Sequence, residues 1–290
     1  MSNPIKEYTF RQDVEEDGIE IIRLEQFFAE KKDLDKFKLH RIHFYMIIFI
    51  THGQGTHLID FKEYNYQKQS IIFVGKDQVN AWVKRKDVKG FLLLFTDQFL
   101  YHNQIKFKDI SYSYPYNSSL YQPVMMLSQK DKYQSFHSLF AYLYQEYHLP
   151  KSAHKQEILQ NLLRTFLLKI QSHATKKNIS GTQEEKALFI RFQKLIEDNI
   201  SETRNINDYC QILHTSYRKL NHTCKILTNM TAKAFLDYIV ILKAKKYLID
   251  GHNNISETSY LLGFEEVTNF TKFFKKHTSL SPKEFLAQAQ

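Results

Sequence analysis

The sequence predicts an α+β protein in which a β-rich N-terminal half precedes an all-helical C-terminal half. Residues 37–95 consist of short β-branched and aromatic runs separated by glycines, as in an antiparallel sandwich or barrel. From residue 131 onward, apolar residues recur at helical spacing. Two helix-turn-helix patterns, at about 205–227 and 255–277, flank an apolar helix pattern at 231–250.

The strand-rich segment contains four apolar runs. RIHFYMIIFI (41–50) is followed by a predicted turn, THGQGT, and then by a strand at 56–61. Residues 71–83 and 89–95 supply the remaining runs. Gly53, Gly55 and Gly75 mark where the predicted turns fall.

Two long amphipathic helices are predicted after the strands. Residues 131–149 carry an apolar stripe of Phe136, Leu139, Phe140, Leu143 and Tyr147, and residues 152–174 carry one of Ile158, Leu162, Phe166 and Ile170. This helical hairpin, 131–174, either mediates dimerisation or packs against its own barrel, and the sequence favours neither. We expect a first domain at 1–174, a linker at 175–182 and a second domain at 183–290, whose first helix opens with a capping box at Thr182.

Composition narrows the class of protein. The chain has 290 residues and a formal net charge of +9, which favours an anionic partner such as nucleic acid. Two cysteines, Cys210 and Cys224, exclude a disulfide scaffold and a zinc finger. The N-terminus has no apolar signal-peptide core, and the longest apolar runs are too short to span a bilayer. We therefore expect a cytoplasmic protein with no membrane association.

The first helix-turn-helix pattern places a short helix at 206–213 and a second at 216–227, with Ser216 as the N-cap. Leu220, Cys224 and Leu227 form its apolar side. The opposite side presents groups suited to base edges and phosphates. Its candidate DNA-binding residues are Ser216, Tyr217, Arg218, Asn221, His222 and Lys225.

The second pattern repeats this scheme in a stretch that is both aromatic and cationic. A short helix at 256–264 is stopped by Gly263, and a second helix follows at 266–278. Phe270 and Phe274 are four residues apart and should face the core, with Phe273 beside them. The candidate DNA-binding residues are Val267, Thr268, Asn269, Thr271, Lys272, Lys275 and Lys276.

The helix predicted between the two units is apolar on most sides. Thr231 is its expected N-cap and Gly251 marks its end. Twenty helical residues span about 30 Å. Successive major-groove positions on one face of DNA are about 34 Å apart, so this helix could space two recognition helices by about one turn of DNA.

The C-terminal residues resemble the AraC/XylS family of bacterial transcription regulators. The family's C-terminal signature is matched by ISETSYLLGFEEVTNFTKFFKKHTSLSP, from Ile255 to Pro282. The signature positions filled as in the family are Gly263, Phe264, Phe270, Lys272, Phe274, Lys275, Ser281 and Pro282. Thr258, Ser259, Thr268 and Ser279 depart from it. The resemblance implies recognition roles for Arg218, Asn221, His222, Val267, Thr268, Asn269 and Lys272.

The same resemblance implies a cupin-like N-terminal barrel that senses a small molecule and supports dimerisation. Side chains that could line its pocket are His43, Tyr45, His57, Gln78, Asn80 and Trp82, and each could equally be an ordinary barrel residue. His40 and His43 are three apart and so point to opposite faces of a strand. Because Asn80 stands where a histidine would serve, we expect no metal and no other cofactor.

The sequence therefore predicts a sequence-specific DNA-binding transcription regulator that is not an enzyme. Its expected partners are double-stranded DNA, a small-molecule effector, RNA polymerase and a second copy of the chain. A cupin enzyme with an accessory DNA-binding module is one alternative. A regulator without any ligand, controlled by its own abundance, is another.

Overall fold

The computed structural model describes residues 4–10, 18–29, 36–101, 115–174 and 181–289. The chain forms two compact units, one of Lys6–Asn178 and the other of Ile179–Gln290 together with Met1–Ile5. In the predicted linker, residues 175–180 lie outside the described residues. The mixed class, with the sheet first and the helices last, is confirmed.

The described residues of the first unit contain eight strands and four helices. The strands are β1 (Lys6–Tyr8), β2 (Ile19–Arg23), β3 (His40–Ile42), β4 (Tyr45–Ile59), β5 (Lys62–Gln67), β6 (Ser70–Val74), β7 (Val79–Phe95) and β8 (Val124–Met126). The helices are α1 (Leu24–Ala29), α2 (Asp97–Tyr101), α3 (Lys130–His148) and α4 (Lys155–Ala174). The strands form one sheet in the order β1-β3-β7-β4-β6-β8, with β2 paired to β7 and β5 paired to β4.

Two long strands replace the short ones predicted from the sequence. The THGQGT segment is not a turn, because β4 runs through it and pairs with β7 along its whole length, with register shifts between Ile50 and His57. Gly53 allows this irregularity. Its φ is +85°, and a Cβ there would lie 2.4 Å from the carbonyl oxygens of Lys86 and Asp87. The predicted turn was wrong because glycine signals a bulge as readily as a turn.

The sheet folds over an apolar interior. Buried side chains from the first half of β4, such as Ile48 and Ile50, share one cluster with Ile59, Tyr66 and Trp82 from the other end of the sheet. Residues on the two halves of a long bent strand pair can meet in this way only if the sheet curves back on itself. The result is a barrel-like enclosure around these side chains.

The outer face of the sheet is covered by the α3–α4 hairpin. Phe49, Phe91 and Phe140 stack in this layer, and Phe166 meets Phe140 edge-on. In α4 the fully buried stripe is Leu159, Leu163, Phe166, Leu167 and Ile170, whereas the predicted Ile158 and Leu162 are half-buried. The apolar stripes of the hairpin therefore pack against their own sheet.

The described residues of the second unit form seven helices. These are α5 (Gln183–Asn199), α6 (Ile206–Ile212), α7 (Tyr217–Thr228), α8 (Ala232–Asp250), α9 (Ile255–Leu261), α10 (Val267–Thr278) and α11 (Pro282–Ala289). The capping box of Thr182 with Glu185 and the N-caps of Ser216 and Thr231 are confirmed. Gly251 ends α8 with a φ of +70°.

α9 carries two departures from the family signature in its buried face. Thr258 and Ser259 are fully buried, and their hydroxyl groups have no hydrogen-bond partner among the residues that the structure describes. Buried hydroxyls without partners destabilise a fold. These substitutions therefore weaken packing and leave the exposed face of the second helix-turn-helix unit unchanged.

The two cysteines are free and buried, one on α6 and one on α7. Burial raises the pKa of the Cys210 thiol, and burial with the neighbouring Cys210 raises the pKa of Cys224 to about 12. A thiol with so high a pKa is almost entirely protonated at neutral pH and reacts slowly.

No helix among the described residues is both long and apolar enough to cross a membrane.

Alkylation should report this burial. In a Cys210→Ser variant, Cys224 should react with iodoacetamide at pH 8 on the order of 100-fold more slowly in the native protein than in guanidinium, because only the thiolate reacts. Mass spectrometry of quenched time points measures both rates. Comparable rates would show that Cys224 is accessible and ionised, and that the core assignment is wrong.

Candidate nucleic-acid interface

The helix α7 has one buried and one exposed face. Leu220, Thr223 and Cys224 are fully buried, and Leu227 near the end of the helix is also buried. Ser216 fixes the start of the helix, since its hydroxyl accepts a hydrogen bond of 3.2 Å from the Lys219 amide. The exposed face consists of Ser216, Tyr217, Arg218, Lys219, His222 and Lys225. These side chains line an open groove.

Asn221 is more internally engaged than the sequence suggested. It is half-buried, and its Oδ1 accepts a hydrogen bond of 3.0 Å from the backbone amide of Ala232. Ala232 is the first residue of α8, whose first-turn amides have no partner within the helix. Asn221 therefore ties α7 to the start of α8, and its amide nitrogen remains available to donate to another partner.

The cations of α7 fall into two groups. Lys219, absent from the predicted set, forms an ion pair of 2.7 Å with Glu184, and His222 lies 3.9 Å from Glu185. Arg218 and Lys225 are exposed and have no ion pair within the described part of the chain. The unpaired charges are those that an external anion can neutralise at the lowest cost in desolvation.

The helix α10 repeats this division between faces. Phe270 and Phe274 are fully buried, as predicted, and Phe273 is half-buried against Phe264. Thr268, Asn269, Lys272, Lys275 and Lys276 are exposed, and Val267 and Thr271 are half-buried. The Thr268 hydroxyl donates to Glu266 at 3.0 Å, so it is partly committed within the protein.

The helix α8 joins the two helix-turn-helix units and is buried on most sides. Its 19 residues span about 28 Å. Phe235, Leu236, Val240, Ala244 and Leu248 are all buried. A helix buried in this way fixes the separation of the elements packed against its two ends.

Three of the six predicted pocket residues come together in the N-terminal unit. The rings of His57 and Trp82 lie 4.6 Å apart, and both are buried with Asn80. Burial, with a smaller contribution from His40, lowers the pKa of His57 to about 3 against an opposing interaction with Asn80. Neither ring nitrogen of His57, and neither amide atom of Asn80, has a hydrogen bond of good geometry within the described chain.

The other three predicted pocket residues lie elsewhere. His43 sits at the surface between Asp77 (2.6 Å) and Glu7 (3.1 Å). Tyr45 stacks on Phe95 in the cluster beneath the α3–α4 hairpin, on the opposite face of the sheet. Gln78 precedes β7 and holds the turn, with bonds to the Gly75 amide and Asp60. Alternation along a strand could not reveal these contacts, because most of them join residues distant in sequence and the bond from Gln78 to Gly75 belongs to a turn.

Within the described ranges, no group of three or more His, Cys, Asp or Glu side chains is arranged to hold a metal ion. The two helix-turn-helix units present a surface suited to a negatively charged partner. Each presents polar and cationic side chains on a helix anchored by apolar ones, the arrangement that places a helix in the major groove. This architecture defines a DNA-binding protein.

The chain is similar to several known proteins. Residues 209–288 match the family model described as a helix-turn-helix domain. The HTH-type transcriptional activator RhaS of Escherichia coli strain K12 / DH10B is 21% identical over 258 residues, covering 86% of this chain and 87% of that protein. Among solved structures, ToxT from Vibrio cholerae matches with 16% identity and a TM-score of 0.47, covering 93% and 97% of the two chains. The chain is a DNA-binding transcription regulator, and its C-terminal residues are similar to those of AraC/XylS-type regulators.

Replacing Asn221 tests its contact with α8. Asn221→Ala should lower the free energy of unfolding by about 1 kcal/mol, because the Ala232 amide loses its acceptor. Asn221→Asp keeps an acceptor oxygen and should retain most of that stability. Thermal and urea unfolding of both variants measures the difference, and equal stability of Asn221→Ala and the wild type would contradict the capping role.

Proposed function

We propose that the protein reads two adjacent major-groove segments of double-stranded DNA with α7 and α10, under the control of a small-molecule effector bound in the N-terminal unit. The observation that carries the first part is the pair of exposed polar faces, each opposite a buried apolar face. The 28 Å of α8 lies near the 34 Å repeat of DNA.

The exposed side chains divide by chemistry. Arg218 and Lys272 are exposed cations on the two helices that form no ion pair with the described residues, and they suit the O6 and N7 acceptors of guanine. Lys225, Lys275 and Lys276 lie further along their helices and are assigned to phosphates. Polar contacts to bases or backbone are assigned to Ser216, Tyr217, Asn221, His222, Thr268, Asn269 and Thr271, and Val267 to a thymine methyl group.

Substitution of the two base-reading cations tests this proposal. Arg218→Ala should weaken binding to the operator by about 1–3 kcal/mol and relax preference in one half of the site only. Lys272→Ala should relax the other half. Binding is measured against all single-base variants of a site enriched by the wild-type protein from random duplex DNA.

A phosphate-contact control makes the result decisive. Lys276→Ala should lower affinity for every sequence alike and reduce the salt dependence by about one unit, as loss of a phosphate contact does. If Arg218→Ala and Lys272→Ala also keep the wild-type ranking of the panel, these residues contact phosphates and the base-reading assignment fails.

The support for an effector site is the cluster of His57, Asn80 and Trp82. Buried polar atoms without partners cost stability, and a bound effector would supply the missing hydrogen bonds. The neutral imidazole and the amide offer both donors and acceptors, and the Trp82 ring offers an apolar surface. An effector would act by preferring one arrangement of the DNA-binding units over another.

Apolar substitution should separate stability from response. His57→Phe and Asn80→Leu should melt at or above the wild-type temperature, because each removes unsatisfied polar atoms. Each should also lose the shift in melting temperature that an effector from a small-metabolite library gives the wild type. The exposed His52 on the same strand provides the control variant His52→Phe. A retained response in both core variants would place the effector elsewhere.

The remaining assignments follow from this role. We infer a homodimer, supported by the exposed Tyr142 and Leu168 on the α3–α4 hairpin. We also infer that the domains divide at 175–182, that the protein works in the bacterial cytoplasm where its DNA lies, and that it contacts RNA polymerase as an activator. The name of the RhaS relative supports activation. Stoichiometric iron, manganese or zinc in purified protein would instead favour an enzyme.

A further inference from the structure

The two helix-turn-helix units touch each other directly as well as through α8. Gly263, in the turn between α9 and α10, has a φ of +71°. A Cβ at this position would lie 2.3 Å from the carbonyl oxygen of Ser201 and 3.2 Å from that of Ile200. The turn of the second unit thus packs against the segment that leads from α5 into the first unit, and only glycine permits so close an approach.

Arg204 bridges this contact. Its Nη2 donates a hydrogen bond of 3.1 Å to the carbonyl oxygen of Gly263. Its guanidinium carbon lies 3.5 Å from the centre of the Phe264 ring. Phe264 in turn contacts Phe270 and Phe273 of α10, each with a centroid separation of 5.3 Å. The arginine therefore rests on the aromatic cluster that seats the second recognition helix.

The backbone of Arg204 belongs to the first helix-turn-helix unit. Asn205, the next residue, is the N-cap of α6. The preceding residue, Thr203, accepts a hydrogen bond of 2.9 Å from the Tyr209 hydroxyl through its carbonyl oxygen. Tyr209 is fully buried. The arginine side chain thus projects from a well-anchored point of the first unit into the turn of the second.

A carboxylate of the connecting helix completes the junction. Asp237 of α8 is buried and pairs with Lys233 at 2.8 Å, and His277 of α10 lies 3.9 Å away. Lys233 also donates to the carbonyl oxygen of Arg204 at 3.3 Å. Burial lowers the pKa of Arg204, while Asp237 and Glu265 oppose that shift. An arginine stays charged in such a setting, so the contact with the Phe264 ring is a true cation–π interaction.

We propose that Arg204 is a positioning residue that holds the second helix-turn-helix unit against the first and so sets the half-site spacing that the protein accepts. This inference rests on the proposed two-helix reading of DNA. One base pair changes the separation of two half-sites by 3.4 Å and their relative rotation by about one tenth of a turn. A rigid junction excludes such a change, whereas a loose one accommodates it.

The test uses the full chain and a duplex enriched by the wild-type protein from random DNA. One base pair is inserted or deleted between the two half-sites, and the ratio of dissociation constants for altered and original spacing is measured. The wild type should discriminate strongly. Arg204→Ala should lose about tenfold of that ratio, because it removes both the hydrogen bond and the cation–π contact. Arg204→Lys keeps the charge without the planar fork and should fall between them.

Arg191→Ala is the matched control, since Arg191 is an exposed arginine of α5 whose removal changes the net charge equally. It should keep the wild-type spacing ratio. If Arg204→Ala is too unstable to assay, Arg204→Lys alone decides, and an unchanged ratio in the variant assayed overturns the proposal. If the wild type itself ignores spacing, the two-helix reading fails, and that outcome is distinct from failure of Arg204 alone.

Discussion

The burial of α8 is the constraint on which the C-terminal half depends. This helix supplies apolar side chains to both helix-turn-helix units, and residues such as Phe235, Val240 and Leu248 are almost wholly enclosed. Neither unit could bury its own short helices without it, since helices of seven residues are not stable alone in water. Because the two recognition helices share one core, the fold fixes the distance between them.

Polar contacts add to this shared core in holding the helices together. Asn221 joins α7 to the start of α8, while Arg204 and Asp237 join the first unit, the connecting helix and the second unit. Arg218 and Lys272 are exposed and form no ion pair within the described part of the chain, so they can face an anion. Side chains near each recognition helix are thus divided between holding the helices in place and presenting charge. The N-terminal unit differs, because the buried polar atoms of His57 and Asn80 make no hydrogen bond of good geometry with the residues that the structure describes.

The helical half could be predicted closely from sequence because its signals are local. N-caps such as Ser216 and Thr231, the apolar spacing of Phe270 and Phe274 and the stop at Gly263 each depend on neighbouring residues. The sheet was predicted in class but not in strand length, since a glycine-rich segment suits a turn and a bulge equally. Engagement of Asn221 by Ala232 and the placement of Tyr45 depend on contacts distant in sequence, and residue spacing carries no signal for them.

Hydroxyl-radical footprinting of the full-length protein on its enriched DNA site tests the central claim most directly. Two rigidly spaced recognition helices should protect two stretches of backbone on one face of the duplex, with centres about 10–10.5 base pairs apart. Arg218→Ala should weaken one protected stretch and Lys272→Ala the other. A single protected stretch, or two on opposite faces of the DNA, would contradict the account.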